Sequence, residues 1–360
     1  MKRVIHIMRE DLRGEGTPSF PYTLSLILKE NNFSNTNLLL DDKRDPVSEN
    51  VKISYFLVPW KILVSKADTL RIVSKLMSPL TPLVVLVAKL KKMKIISQPD
   101  FAEDLIPNKK SLKSFLVYYI IKLNLSLMDK VVFATPYEEE VLSSISKIPN
   151  KKLKIIPLPS RFAPQEHTNP KDYILTVSCW KEKKNLDKMI RVFSEVLKKN
   201  PKLKLKIVGP FHKGNYFIAE ENRFESGEEY EKKIMRLIQE LNLSKKILFL
   251  GSKKGKELED LFRKAKIFYL PSKFESFGMV YVEALSFGLP IIAEKNSAIK
   301  YILQSGENGF LSSSEREQEA FINKLLSDKK LYKAISNNAL ESSRKYQPKE
   351  ILQKWEKIFK

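Results

Sequence analysis

The chain has one cysteine, three histidines and no long apolar run, and each scarcity removes a class of answer. With Cys179 alone there can be no internal disulfide, which fits a reducing compartment. His6, His167 and His212, with that single thiol, give no metal-ligand spacing. The apolar run Leu83 to Ala88 is six residues long, whereas a membrane span needs about 20. Met1-Lys2-Arg3-Val4-Ile5-His6 leads directly into a strand pattern, without an apolar signal region or small-residue cleavage site. No repeat or low-complexity segment appears. The expectation is a cytoplasmic protein.

What is abundant is basic charge. The formal net charge is +22, with 43% hydrophobic and 29% charged residues over 360 positions, enough for about two ordinary domains. Residues 1–160 carry +9 and the remainder +13, so the excess is spread and forms no basic tail for nucleic acid. One concentration stands out: residues 61–122 hold 12 basic and 4 acidic side chains. Lys89, Lys91, Lys92, Lys94, Lys109, Lys110 and Lys113 are interleaved there with apolar runs. Solvated helix faces are one reading; contact with anionic membrane on the cytoplasmic face is the other.

Strand-like and helix-like segments alternate along the whole chain, which predicts parallel sheets covered on both faces. In the first half the strands are Arg3–Met8, Asn37–Leu40, Lys94–Ser97, Lys130–Ala134 and Leu153–Pro157, with helices over Pro21–Glu30, Ser111–Met128 and Thr135–Ser144. The polar stretch 163–171 reads as a linker. A second series follows, with strands Tyr173–Ser178, Leu203–Val208, Ile247–Leu250, Ile267–Leu270 and Ile291–Ala293 alternating with helices. The predicted division is an N-terminal Rossmann-like domain over 1–162, a C-terminal one over 172–343, and a closing basic amphipathic helix within 344–360. In such sheets ligands bind beyond the carboxyl ends of the strands.

The most informative stretch is Pro271-Ser272-Lys273-Phe274-Glu275-Ser276-Phe277-Gly278-Met279-Val280-Tyr281-Val282-Glu283-Ala284-Leu285-Ser286-Phe287-Gly288-Leu289-Pro290. A strand ends at Pro271, Glu275 lies in the loop, and a helix opens near Gly278. The opening turn leaves backbone N–H groups unpaired, a ready site for phosphate, and Gly278 allows close approach to the main chain. Glu283 lies roughly 7–8 Å along the helix from that anion site. Carboxylates only accept hydrogen bonds, which suits ribose and sugar hydroxyls. Taken singly, either glutamate could instead complement the helix dipole.

As a whole the stretch resembles the E-x7-E signature of the retaining nucleotide-sugar glycosyltransferases of family 4 (glycosyl transferases group 1), whose α/β architecture is GT-B, two Rossmann-like domains facing across a cleft. Lys184-Asn185 matches a second family segment, and Leu248 to Lys254 resembles the turn that meets the nucleobase. The resemblance implies catalytic roles for Glu275 and Lys184. It implies donor contacts from Glu283, Phe277, Gly278, Met279, Val280, Gly251 and Ser252, and from Gly14 and Gly16 in the loop after the first strand. Asp100 is a candidate for the acceptor side. The co-substrate would be a UDP- or GDP-sugar with no other cofactor, and the acceptor a glycan or lipid-linked molecule, as in cell-surface polysaccharide synthesis. The closing helix would pack back onto the first domain.

The family pattern also breaks. Where it carries Gly-Arg, this chain has Ser178-Cys179, and a thiol cannot replace a five-donor cation. Lys181 or Lys183 could reach the phosphates, or be ordinary surface lysines. The place where relatives often carry histidine is Ile95 to Asp100, without one. No D-x-D triplet occurs, which argues against the metal-dependent single-domain transferases and against an essential divalent ion. Gly251 to Glu257 is one residue short of a P-loop and has Glu257 in place of the hydroxyl. Two rivals remain: a non-catalytic nucleotide-sugar-binding protein, and a dinucleotide-dependent oxidoreductase using Gly14 and Gly16.

Overall fold

The computed structural model describes residues 3–9, 34–40, 50–52, 55–73, 78–99, 112–167, 169–218, 223–295 and 298–359. Gly14, Gly16 and Asp100, with the expected helix Pro21–Glu30, lie outside these residues. The chain forms two compact units, one of residues 1–159 with 348–360, the other of 160–347.

In the first unit seven parallel strands form one sheet in the order β3-β2-β1-β4-β5-β6-β7. They are β1 (Arg3–Arg9), β2 (Ser34–Leu40), β3 (Asn50–Lys52), β4 (Thr69–Val73), β5 (Lys94–Gln98), β6 (Lys130–Phe133) and β7 (Leu153–Ile155). Alternation along each strand sends side chains to opposite faces. Ile5, Ile7, Leu70, Ile72, Ile95, Val131 and Phe133 meet one layer of helices: α1 (Val58–Val64), α2 (Thr81–Leu90), α3 (Leu112–Leu127) and α4 (Pro136–Ile145). Val4, Ile96, Val132 and Ile156 point the other way and pack on the last helix of the chain, Pro348–Phe359, through Ile351, Leu352, Trp355, Ile358 and Phe359.

β3, α1, β4 and α2 carry no clear signal in the sequence, and β4 shows why. Arg71 interrupts its apolar run, yet is fully buried on the face that meets the C-terminal helix. Its Nε donates to Gln98 Oε1 (3.1 Å), its Nη1 meets His6 Nδ1 (3.1 Å), and the guanidinium lies 5.1 Å from the Trp355 ring centroid. Burial pulls the Arg71 guanidinium down to about 9.

The second unit holds a six-stranded parallel sheet ordered β12-β9-β8-β13-β14-β15 and a separate hairpin, β10 (Asn215–Ile218) with β11 (Arg223–Ser226). The sheet strands are β8 (Tyr173–Val177), β9 (Lys204–Val208), β12 (Ile247–Phe249), β13 (Ile267–Leu270), β14 (Ile291–Ala293) and β15 (Phe310–Leu311). Its helices are α5 (Leu186–Lys199), α6 (Gly227–Glu240), α7 (Gly255–Lys264), α8 (Met279–Ser286), α9 (Glu315–Ser327) and α10 (Lys329–Ser343); Pro348–Phe359 is α11.

The stretch read as a linker is instead fastened to this unit. The Gln165 N–H donates to the Ser286 carbonyl (2.8 Å), His167 Nε2 pairs with the Ala265 carbonyl (2.7 Å), and Ser160 and Ser286 share a hydroxyl bond (2.8 Å). Of these bonds, the one from the His167 side chain occupies the carbonyl just past α7, a helix-end group that needs a partner. The Ser160 N–H also donates to the Tyr346 carbonyl (2.7 Å), so the outgoing and returning segments run together.

Trp355 is fully buried against the sheet, with the Arg71 guanidinium of β4 over its ring. Trp355→Ala should lower unfolding stability of the first unit by about 3–5 kcal/mol, the usual cost of an emptied aromatic site. Urea unfolding of the two proteins measures it.

Candidate active site

From β8 the chain steps outward to β9 and β12, then returns to the opposite side of β8 to form β13. The carboxyl ends of β8 and β13 therefore border a topological switch point, where neighbouring loops diverge and leave a crevice. The loop after β8 spans 178–185 and the loop after β13 spans 271–278, so the two stretches singled out in the sequence become neighbours.

Backbone bonds hold them together. The Lys273 N–H donates to the Lys183 carbonyl (2.8 Å), which also accepts from the Ser272 hydroxyl (3.2 Å). On that frame Lys184 Nζ donates to Glu275 Oε1 at 2.6 Å. The side chains are 15% and 11% exposed, sheltered enough to strengthen the pair and open enough to meet a ligand. Glu275 Oε2 has no partner among the described residues. Asn185 closes the turn at φ 59, a left-handed conformation that asparagine tolerates, and starts α5.

Gly278 sits at φ 86 as the N-cap of α8, and no side chain caps this helix. A Cβ there would approach Ile299 Cδ1 and Tyr281 Cδ2 to 2.7 Å, so both backbone angle and space demand glycine. The Tyr281 N–H bonds back to the Gly278 carbonyl (3.0 Å), while Met279 and Val280 present half-buried first-turn positions. Phe277 is buried edge-on to Tyr346, so its side chain anchors the loop and only its backbone is placed for a ligand.

Glu283 is only 2% exposed, and its Oε1 receives Arg161 Nε at 2.5 Å. Burial raises the Glu283 carboxyl above the ordinary carboxylate range, against the pull of Arg161. Its Oε2 has no partner among the described residues. Glu283 therefore holds a cation on one oxygen, a partner that the sequence does not announce. Arg161 was missed because it sits next to the stretch read as linker, and nothing local pairs it with Glu283, 122 residues further on.

The remaining predicted residues lie along the same sheet edge. Gly251 and Ser252 are exposed just past β12, and the Gly251 carbonyl accepts from the Gly209 N–H (2.8 Å). Gly209 is a second residue the sequence reading overlooked. At φ 107 it passes the β8 exit so closely that a Cβ would fall 1.7 Å from the Ser178 carbonyl oxygen. Cys179 is exposed. Lys181 lies 5.4 Å from the Tyr216 ring centroid and Lys183 5.9 Å from that of Phe274.

The family model described as glycosyl transferases group 1 matches residues 160–342, half of the chain and nearly all of the second unit. The chain belongs to this family. Among curated proteins it is 28% identical over 188 residues to an uncharacterized glycosyltransferase of Haemophilus influenzae, covering 51% of this chain and 48% of that one. It is 30% identical over 185 residues to a sucrose synthase of Denitrovibrio acetiphilus, covering 48% of this chain and 22% of the relative. The chain thus aligns with about half or less of these relatives' lengths. Solved structures match along its whole length. Sucrose-phosphate synthase from Thermosynechococcus elongatus gives a TM-score of 0.75 at 16% identity, over 100% of this chain and 98% of that one. Anabaena HepE in complex with UDP gives 0.76 at 16%, over 99% of each. At such identities the likeness establishes the fold, and the group 1 transferase has the GT-B α/β architecture.

The buried pair offers a direct test. Arg161→Met should cost about 3 kcal/mol of stability by leaving the Glu283 charge uncompensated, and adding Glu283→Gln should restore most of it. A carboxyl raised in the fold favours folding below its unfolded value and loses that contribution as pH rises through its folded value. Arg161→Met should therefore approach wild-type stability in acid and fall further behind toward neutral pH. Unfolding midpoints across pH for the single and double variants check both statements.

Proposed function

We propose that this group 1 transferase moves a glycosyl unit from a UDP- or GDP-sugar to a hydroxyl of a glycan or lipid-linked acceptor, retaining the anomeric configuration and needing no divalent ion. The observation that carries this is the Lys184–Glu275 pair beside the uncapped start of α8 at the switch point. The diphosphate would rest on the Gly278–Met279–Val280 backbone, where the helix dipole favours negative charge. Lys184 would neutralise charge developing on the leaving nucleotide. Glu275, held by Lys184, keeps one oxygen for sugar hydroxyls. Glu283, steadied by Arg161, keeps one for the ribose. The acceptor hydroxyl would attack from the face the nucleotide leaves, with a phosphate oxygen taking its proton. Anabaena HepE solved with UDP and glucose, at TM-score 0.74, supports a UDP-linked donor by analogy.

A second reading has a specific observation behind it. Exposed Cys179 stands where the family carries a phosphate-binding arginine, and a chain lacking that cation could bind nucleotide sugars without transferring them.

Thermal-shift titration with a panel of nucleotide sugars should show stabilisation by UDP- or GDP-linked donors; silence across the panel would refute the donor site. Glu275→Ala should abolish transfer and leave nucleotide affinity nearly intact, and unchanged turnover would remove Glu275 from the mechanism. Because position 179 is exposed, Cys179→Arg should fold normally and match or exceed wild-type turnover. Bound UDP or GDP with no transfer by either protein would establish the non-catalytic reading.

A further inference from the structure

In the first unit, α1, α2 and α3 lie side by side over one face of the sheet and contact one another in sequence. Their inward residues are ordinary core: Val58 and Ile62, Val84 and Val85, Ile121 and Leu125. Their outward residues are apolar as well. Twelve of the fourteen exposed large hydrophobic residues among those described fall on these helices or the turn leading into α1. Trp60 is 62% exposed, Leu86 55% and Leu90 75%, with Leu116 and Leu123 continuing the stripe on α3. Spacings of three, four and seven residues put each set on one side of its helix. A water-facing helix normally carries charge there. Scattered single hydrophobes need no explanation, but a contiguous patch of this kind marks a contact surface.

The polar residues around the patch are of one sign. Lys61, Lys66, Lys89, Lys92 and Lys122 are exposed on or beside the three helices, and Asp68 is the single acidic residue among described positions 55–99 and 112–127. Lys91 fixes the geometry, since its Nζ donates to the Ile62 (2.9 Å) and Leu63 (2.7 Å) carbonyls at the end of α1. That locks α1 against α2, so their outer faces act as one surface.

We propose that this three-helix face docks on an anionic lipid bilayer, seating Trp60, Leu86 and their neighbours among the acyl chains and the lysines at the headgroups. Both halves of the surface match that partner: apolar side chains for the interface and a cationic rim for its charge. Tryptophan is the side chain that prefers this depth. A protein partner would have to be equally apolar and acidic. The inference goes beyond the donor-site reading and stands without it, because every residue it uses lies in the first unit.

Trp180 and Trp355 are fully buried, so Trp60 is the exposed tryptophan and its fluorescence reports the patch directly. The full chain should float with phosphatidylcholine vesicles containing phosphatidylglycerol, with a blue shift of Trp emission, and bind pure phosphatidylcholine much less. Raised salt should weaken the binding. Lys61→Gln with Lys89→Gln should weaken it about tenfold or more, since each lysine contributes on the order of fivefold. Trp60→Glu with Leu86→Glu should abolish flotation and leave the thermal midpoint and any UDP- or GDP-induced shift unchanged. Vesicle binding without a nucleotide shift would still support this docking face while counting against the donor site. No binding to anionic vesicles, or flotation untouched by Trp60→Glu/Leu86→Glu, overturns it. Concentration-dependent self-association that those substitutions remove, with no vesicle binding, would assign the face to a second copy of the chain instead.

Discussion

The bond between Lys184 and Glu275 depends on a reversal of strand order. Only because β13 returns to the free side of β8 do two loops, some ninety residues apart in the chain, lie side by side. A backbone bond from the Lys273 N–H and a hydroxyl bond from Ser272, both to the Lys183 carbonyl, set that approach. The carboxylate is then neither solvated nor isolated, because a cation fixes one of its oxygens. Preorganised charge of this sort needs no rearrangement when a ligand arrives.

The same economy governs the second carboxylate. Glu283 would be too costly as a bare buried charge, and Arg161 makes it tolerable. Arg161 comes from the segment that enters the second unit, just ahead of the stretch that compositionally resembles a tether. Gly278 and Gly209 work alongside these pairs by giving the backbone room where a methyl group would collide.

In the first unit the sheet is covered unequally. One face receives the closing helix α11, whose buried Trp355 packs on Arg71 of β4; the other receives helices that remain apolar outside as well as inside. An apolar, lysine-rimmed face turned outward is what the proposed docking on an anionic bilayer would use. The lysine concentration in residues 61–122 thus has a partner in the apolar residues between them.

Local sequence determined much of this protein. Short apolar strands alternating with helices were enough for two parallel α/β units, because period and turn residues act over a few positions. Glu275, Gly278 and Glu283 were legible for a similar reason, as a loop, a helix start and a helix body in one continuous run. Elements whose stability comes from distant partners were not legible. β4 hides behind Arg71, whose charge is acceptable only beneath Trp355 and beside Gln98 and His6. Arg161, bordering the linker stretch, shows no role until Glu283 stands beside it. The outward stripe on α1 to α3 resembles core until the sheet claims the opposite side of each helix. Tertiary structure decided which charges are paired and which apolar faces are left over, since both depend on contacts between residues far apart in the chain.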